Sequence, residues 1–197
     1  MAIEKRIQIL LDKQEIYELM CRYCRGCDRL DKELVMSCFW PGAVDIHVGK
    51  GGKMYTGTAE EFFDGEWEGF KEFTASQHHL CNHLCEVNGD KALAETYQFS
   101  LYWKAPGDDP RLNWFNSNRY IDRFERRNGE WRIIHRTLMR NFSFPIQPQG
   151  FPTKENGWPN LSQSHDDPAF STLKQIDNDE HTLSTNLAKS SKKCFHI

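Results

Sequence analysis

Two side chains in this sequence are matched for acid–base chemistry, Asp28 and His78. Asp28 ends a long amphipathic stretch, and His78 belongs to a strand-like run, Ser76-Gln77-His78-His79-Leu80-Cys81-Asn82. A carboxylate that accepts one imidazole N–H leaves the other ring nitrogen free to take a proton; inside an apolar pocket that pair is a general base. Such a base removes a proton from carbon next to an activating group. Loss of hydroxide, water or halide from the neighbouring carbon then completes an elimination, while reprotonation elsewhere gives an isomerisation. Tyr23 or Tyr120 is suited to hydrogen-bond a carbonyl or leaving group as charge develops. The scheme calls for no metal and no cofactor.

Other constellations are weaker. Cys21, Cys24 and Cys27 repeat at the spacing of iron–sulfur ligands, but within a helical pattern that lacks the Gly and Pro of a cluster loop. They read as small core thiols. His79 and His83 are expected on the strand face opposite His78, and no carboxylate follows them at ligand spacing, so no metal centre is expected. Asp45 and His47 share a strand face and are suited to add a second polar pair to a pocket, but read more simply as hydrated rim residues. Arg136 and Arg140 have the same strand parity, which suits one of them to a carboxylate at a pocket mouth or an interface.

The elements that must position these groups are legible from periodicity. Apolar residues at Ile7, Leu10, Leu11, Ile16, Leu19, Met20, Tyr23, Cys24 and Cys27 predict a helix over 7–27 with those side chains inward. Asp31 caps a second, short helix through Phe39, and Pro41-Gly42 follows it. Strand-like pieces lie over 43–57 around Gly49-Lys50-Gly51-Gly52. Thr58, with Glu61 completing a capping box, starts a third helix over 59–73 whose inner face is aromatic. From residue 76 the period becomes two, predicting strands over 77–88, 92–104, 113–126 and 130–142. Asn88-Gly89-Asp90 and Arg127-Asn128-Gly129 supply tight turns, and 105–110 a longer loop. Helices followed by an antiparallel meander give an α+β class.

Size and composition set the outer limits. A chain of 197 residues with 39% hydrophobic content can bury one core. A net charge of −3 with no basic block argues against nucleic acid as a partner. No run reaches transmembrane length, so no membrane partner is expected. Seven cysteines without a secretion signal suggest reduced thiols and a cytoplasmic location. After Phe144 the prolines Pro145, Pro148, Pro152, Pro159 and Pro168 interrupt a polar tail, which is either disordered, above all over 184–197, or wraps a neighbouring subunit through Phe151, Trp158 and Phe170.

The helix over 16–28, the Asp28-Arg29-Leu30-Asp31 step, the run Gln77-His78-His79-Leu80-Cys81-Asn82 and the closing hairpin over 119–133 together resemble the SnoaL-like branch of the nuclear transport factor 2 superfamily. The resemblance spans roughly 7–144. It implies a cone-shaped, curved, mostly antiparallel sheet with three N-terminal helices packed on it, a cystatin-like roll, as a domain over 1–144, leaving 145–197 as an irregular extension. Two enzymes of that superfamily, scytalone dehydratase and hexachlorocyclohexane dehydrochlorinase, use a buried Asp and His, and the matching positions are Asp28 and His78. Asn82 and Tyr120 fall where such pockets are lined. The second histidine of the dehydratase falls near Tyr102 and Trp103, and the lysine of the dehydrochlorinase is replaced by Tyr23. The resemblance thus implies a cofactor-independent lyase of dehydratase type acting on a small or medium hydrophobic cyclic molecule. Its alternatives are a double-bond isomerase, a dehydrohalogenase, or a non-catalytic small subunit or ligand carrier of the same fold. It also implies a homo-oligomer, a trimer or a dimer.

Overall fold

The computed structural model describes residues 2–49, 52–104, 113–146, 162–167 and 169–170. The expected loop over 105–110, the anchors Phe151 and Trp158, and the segment 184–197 lie outside them. The chain divides into two compact units, Met1–Gln147 and Pro148–Ile197. In the second, Ser162 and Ser164 share a hydroxyl hydrogen bond of 2.7 Å, and the His165 and Phe170 rings stack at 4.5 Å.

In the first unit, α1 spans Ile3–Asp28, α2 Lys32–Ser37, β1 Phe39–Val48, β2 Met54–Thr58, α3 Ala59–Phe70, β3 Ala75–Asn88, β4 Lys91–Trp103, β5 Trp114–Arg127 and β6 Glu130–Pro145. The fold is α+β, with one six-stranded sheet in the order β2-β1-β6-β5-β4-β3. All neighbouring strands are antiparallel except β1 and β6. The tight turn between β5 and β6 is made by Asn128 and Gly129, whose φ angles of 53° and 85° are the left-handed values a two-residue hairpin requires.

Local chemistry explains the helix ends. The Asp31 carboxylate accepts the Leu34 N–H at 2.9 Å and starts α2. Thr58 and Glu61 bond each other's backbone N–H groups and start α3. Gly26, which in isolation would weaken the end of α1, is needed there: a Cβ would stand 2.7 Å from Val35 Cγ2 and 2.9 Å from the Val35 nitrogen, so only glycine lets α2 close against α1.

Ile16, Leu19, Met20, Tyr23 and Cys24 of α1 are buried, as their spacing predicts. Ile7, Leu10 and Leu11 are not; they are 50%, 67% and 51% exposed. The covered face begins instead at Asp12, which is held by Arg126 and by the Trp131 indole N–H at 3.2 Å. A period alone does not say where its apolar stripe meets a partner.

The inner face of the sheet is divided along its strands. Toward one end Cys85, Ala92, Ala94, Phe124, Trp131 and Ile133 join the hydrophobic core. Toward the other end the same strands present Ser76, His78, Ser100, Tyr102, Asn118 and Arg140 to a cavity. Between the halves of β3 the register shifts from Leu80 to His83, which is a bulge at Cys81 and Asn82. The inserted residue reverses side-chain parity. His83 therefore faces inward, 2.8 Å from Thr96 Oγ1 and edge-on to Tyr17, and does not share a face with His79.

Candidate active site

Asp28 is the last residue of α1, and the parity of β3 points His78 toward it. His78 Nδ1 lies 2.6 Å from Asp28 Oδ1, and the His78 backbone N–H donates to Asp28 Oδ2 at 2.9 Å. Both carboxylate oxygens are thus committed to one residue, which fixes the imidazole with its proton on Nδ1. The second ring nitrogen, Nε2, is 3.2 Å from the Tyr102 hydroxyl. Burial pushes the Tyr102 phenol well above its ordinary range, so it is a neutral donor and Nε2 is its acceptor. The His78 side chain is 6% exposed and that of Asp28 14%.

The cavity at His78 encloses ≈ 500 Å³ counting its open mouth, yet only ≈ 30 Å³ of it is wide enough for a water molecule to move in. Its helical wall is aromatic, from Phe62, Phe63 and Phe70 of α3, with Tyr23 and Cys27 of α1. Its sheet floor is polar. Tyr23 and Tyr120 line it as expected, but their rings are also occupied: the Arg136 guanidinium lies 4.0 and 4.2 Å from them. Burial raises both phenols well above their ordinary range. Arg136 is fully buried and grips both oxygens of Asp122, at 2.8 and 2.7 Å. Arg140 stays at the cavity mouth, bonded to Asn116 Oδ1 at 3.0 Å, and no carboxylate pairs with it among the described residues. The two arginines of equal parity therefore do different work.

Three expectations need correction. Asn82 is exposed and does not line the cavity, because it belongs to the bulge of β3. Trp103 does not line it either; strand alternation that turns Tyr102 inward turns its neighbour away. Asp45 and His47 are no hydrated rim. Asp45 is 0% exposed, and His47 Nδ1 lies 3.3 Å from its Oδ1. The His47 ring stacks on Phe62 at 4.3 Å and faces the same cavity as His78. The signal was present in the sequence, since both residues share the inner parity of β1, but parity does not distinguish an inner face that is wet from one that α3 covers.

Cys21, Cys24 and Cys27 lie on α1, and burial raises the Cys24 and Cys27 thiols above their ordinary range. Among the described residues no three His, Cys, Asp or Glu side chains group as a metal site would need. No described helix is long and apolar enough to cross a membrane.

A family model described as a SnoaL-like domain matches residues 8–137. Among solved structures, a candidate scytalone dehydratase from Novosphingobium aromaticivorans is similar with a TM-score of 0.60 and 16% identity, over 73% of this chain and 97% of that one. A hexachlorocyclohexane dehydrochlorinase from Novosphingobium barchaimii matches with a TM-score of 0.59 and 20% identity, over 73% and 96%. A cystatin-like protein of unknown function from Nostoc punctiforme matches with a TM-score of 0.52 and 27% identity, over 66% and 92%. No curated protein sequence matches the chain.

Proposed function

From the premise that this chain belongs to the SnoaL-like domain family, we propose that it is a cofactor-independent lyase in which His78 is the general base and Asp28 orients it. The observation that carries this reading is the contact of 2.6 Å between Asp28 Oδ1 and His78 Nδ1 at the wall of a recessed cavity. His78 Nε2 then removes a proton from carbon adjacent to a carbonyl, and Asp28 stabilises the imidazolium as it forms. Tyr102 yields its place on Nε2 to the substrate. Buried and neutral, its hydroxyl is a donor for the oxygen on which charge develops, a role open also to Tyr23 and Tyr120. Departure of hydroxide from the next carbon gives net dehydration. Double-bond isomerisation and dehydrohalogenation begin with the same proton transfer and stand as the nearest alternatives.

The aromatic wall favours a flat, largely apolar, cyclic substrate of small or medium size. Arg140 at the mouth supplies a cation for a carbonyl or acidic oxygen on its rim. The second reading, a non-catalytic small subunit, needs neither a recessed cavity nor a histidine whose tautomer is fixed by two carboxylate contacts, and the site favours the enzyme. A cytoplasmic protein fits the free state of the six described cysteines.

The test is His78→Ala with hydroxylated cyclic ketones of small and medium ring size. Exchange of the proton next to the carbonyl with deuterated water, and formation of the unsaturated product, are both expected to fall by about 10²–10⁴-fold. An unchanged rate of exchange would end the assignment of His78 as base.

A further inference from the structure

Resting on the reading of His78 as base, we infer that Arg140 anchors a carboxylate of the substrate, so that the molecule taken is a cyclic keto acid, held by its acid group at the cavity mouth with its acidic C–H at His78. Arg140 is the one side chain of permanent charge among the described residues that line the cavity. It meets the ligand away from the reacting atoms, and its role is specificity.

Arg136 and Arg140 stand on the same face of β6, and the first shows what the second lacks. Arg136 has a carboxylate in register on each side, Asp45 of β1 and Asp122 of β5. It grips Asp122 with the Nε–Nη2 edge of its guanidinium, at 2.8 and 2.7 Å. Arg140 has Asn118 as its register partner. Its one side-chain hydrogen bond among the described residues runs from Nη1 to the neutral amide oxygen of Asn116, at 3.0 Å. The Nε–Nη2 edge, the same fork that Arg136 closes on Asp122, is left for a ligand. That edge carries two parallel N–H groups at the spacing of a carboxylate's two oxygens. Burial pulls the Arg140 guanidinium below its ordinary range, and the groups that oppose it are the phenols of Tyr102 and Tyr120. A bound carboxylate supplies the compensating charge that those neutral phenols do not.

Strand register sets how far the acid group lies from the reaction. His78 of β3 is opposite Ser100 of β4, and Ser100 is opposite Asn116 of β5. Arg140 is held on Asn116, two strand spacings or about 10 Å from His78. The Ser143 hydroxyl donates to the same Asn116 oxygen at 2.5 Å, which fixes that amide. A carboxylate at one end and an activated C–H at the other therefore suit a skeleton of one or two rings lying along the aromatic wall of α3. One cation matches a monoanion, and a phosphate monoester, of charge about −2, is the poorer fit.

Binding, which needs no turnover, is the test. A one-ring and a two-ring oxo carboxylic acid, each with its methyl ester, are titrated calorimetrically into wild type, Arg140→Gln and Arg140→Lys. The wild type is expected to bind the acid of at least one pair about 10–100-fold more tightly than its ester. Arg140→Gln is expected to abolish that preference by weakening the acid, with the ester changed by no more than about threefold. Arg140→Lys, which keeps the charge and lacks the fork, is expected to retain part of it. Solvent exchange on the same probes reports His78 separately: an unchanged rate in His78→Ala ends the base assignment, whereas the anchor stands or falls on the Arg140 comparison alone. Equal binding of acid and ester by the wild type, no binding of either pair, or the same loss on acid and ester in Arg140→Gln would overturn the role of Arg140.

Discussion

Asp28 accepts two hydrogen bonds from one residue, and this makes its charge state and its shape inseparable. An asparagine of the same size has one oxygen for two donors. If that oxygen keeps the His78 backbone N–H, the amide NH₂ meets Nδ1 and the imidazole must carry its proton on Nε2 instead. The cavity would then contain a donor where a base is needed. Asp28→Asn is therefore expected to lower turnover and solvent exchange by about 10³–10⁴-fold while leaving the circular-dichroism spectrum unchanged. The pair itself was legible in the sequence because the types and the element ends were right: an acid at the end of a helix and a histidine on an alternating strand. The Tyr102 contact was less so. Strand parity turns Tyr102 toward the cavity, but no pattern states that its hydroxyl reaches Nε2. The Asp45–His47 pair was visible as a pair and misplaced in environment, since the cover provided by α3 is a long-range fact.

At the level of elements, β3 holds the most consequential irregularity. The bulge at Cys81 and Asn82 sends His78 and His83 to the same face, His78 into the cavity and His83 under α1. Burial holds the His83 imidazole below its ordinary range, with Lys13 adding to that and Asp122 opposing it. The folded state thus favours neutral His83, whereas the unfolded chain takes up a proton near pH ~6.5. The unfolded state binds more protons below that point, so this residue's contribution is present at higher pH and is lost as the pH falls through ~6.5 toward the depressed folded value. His83→Gln should show a smaller fall of the urea midpoint between about pH 7 and about pH 5 than the wild type. A larger or equal fall would contradict the burial argument. Alternation predicted all four long strands, and cap chemistry predicted α2 and α3. A bulge, by contrast, adds one residue to a pattern of period two without any residue type that demands it, and Asn82 was misassigned for that reason.

At the scale of the molecule, the outer face of the sheet is unusually apolar. Phe99, Phe115, Phe142 and Phe144 form a ladder of rings across β4, β5 and β6, with centroids 5.0–6.3 Å apart. Phe142 is 54% exposed and Phe144 45%. A patch of this kind suits a homo-oligomer, which the chain is expected to form through this face. Light scattering of the wild type should give a mass above that of one chain, and Phe142→Glu should shift it toward the monomer without altering the cavity. A monomeric wild type would remove that expectation. Alternation alone does not show that these rings line up on one face, because β6 itself changes parity at Asn141. The division of the strands has a further consequence for ancestry. Packing is concentrated at Ala92, Phe124, Trp131 and Ile133, while Ser100, Tyr102, Asn118 and Arg140 lie farther along the same strands. Substitutions that retune selectivity can therefore accumulate without eroding the scaffold, and descendants of such a chain are free to diverge in the molecules they process while inheriting the same frame.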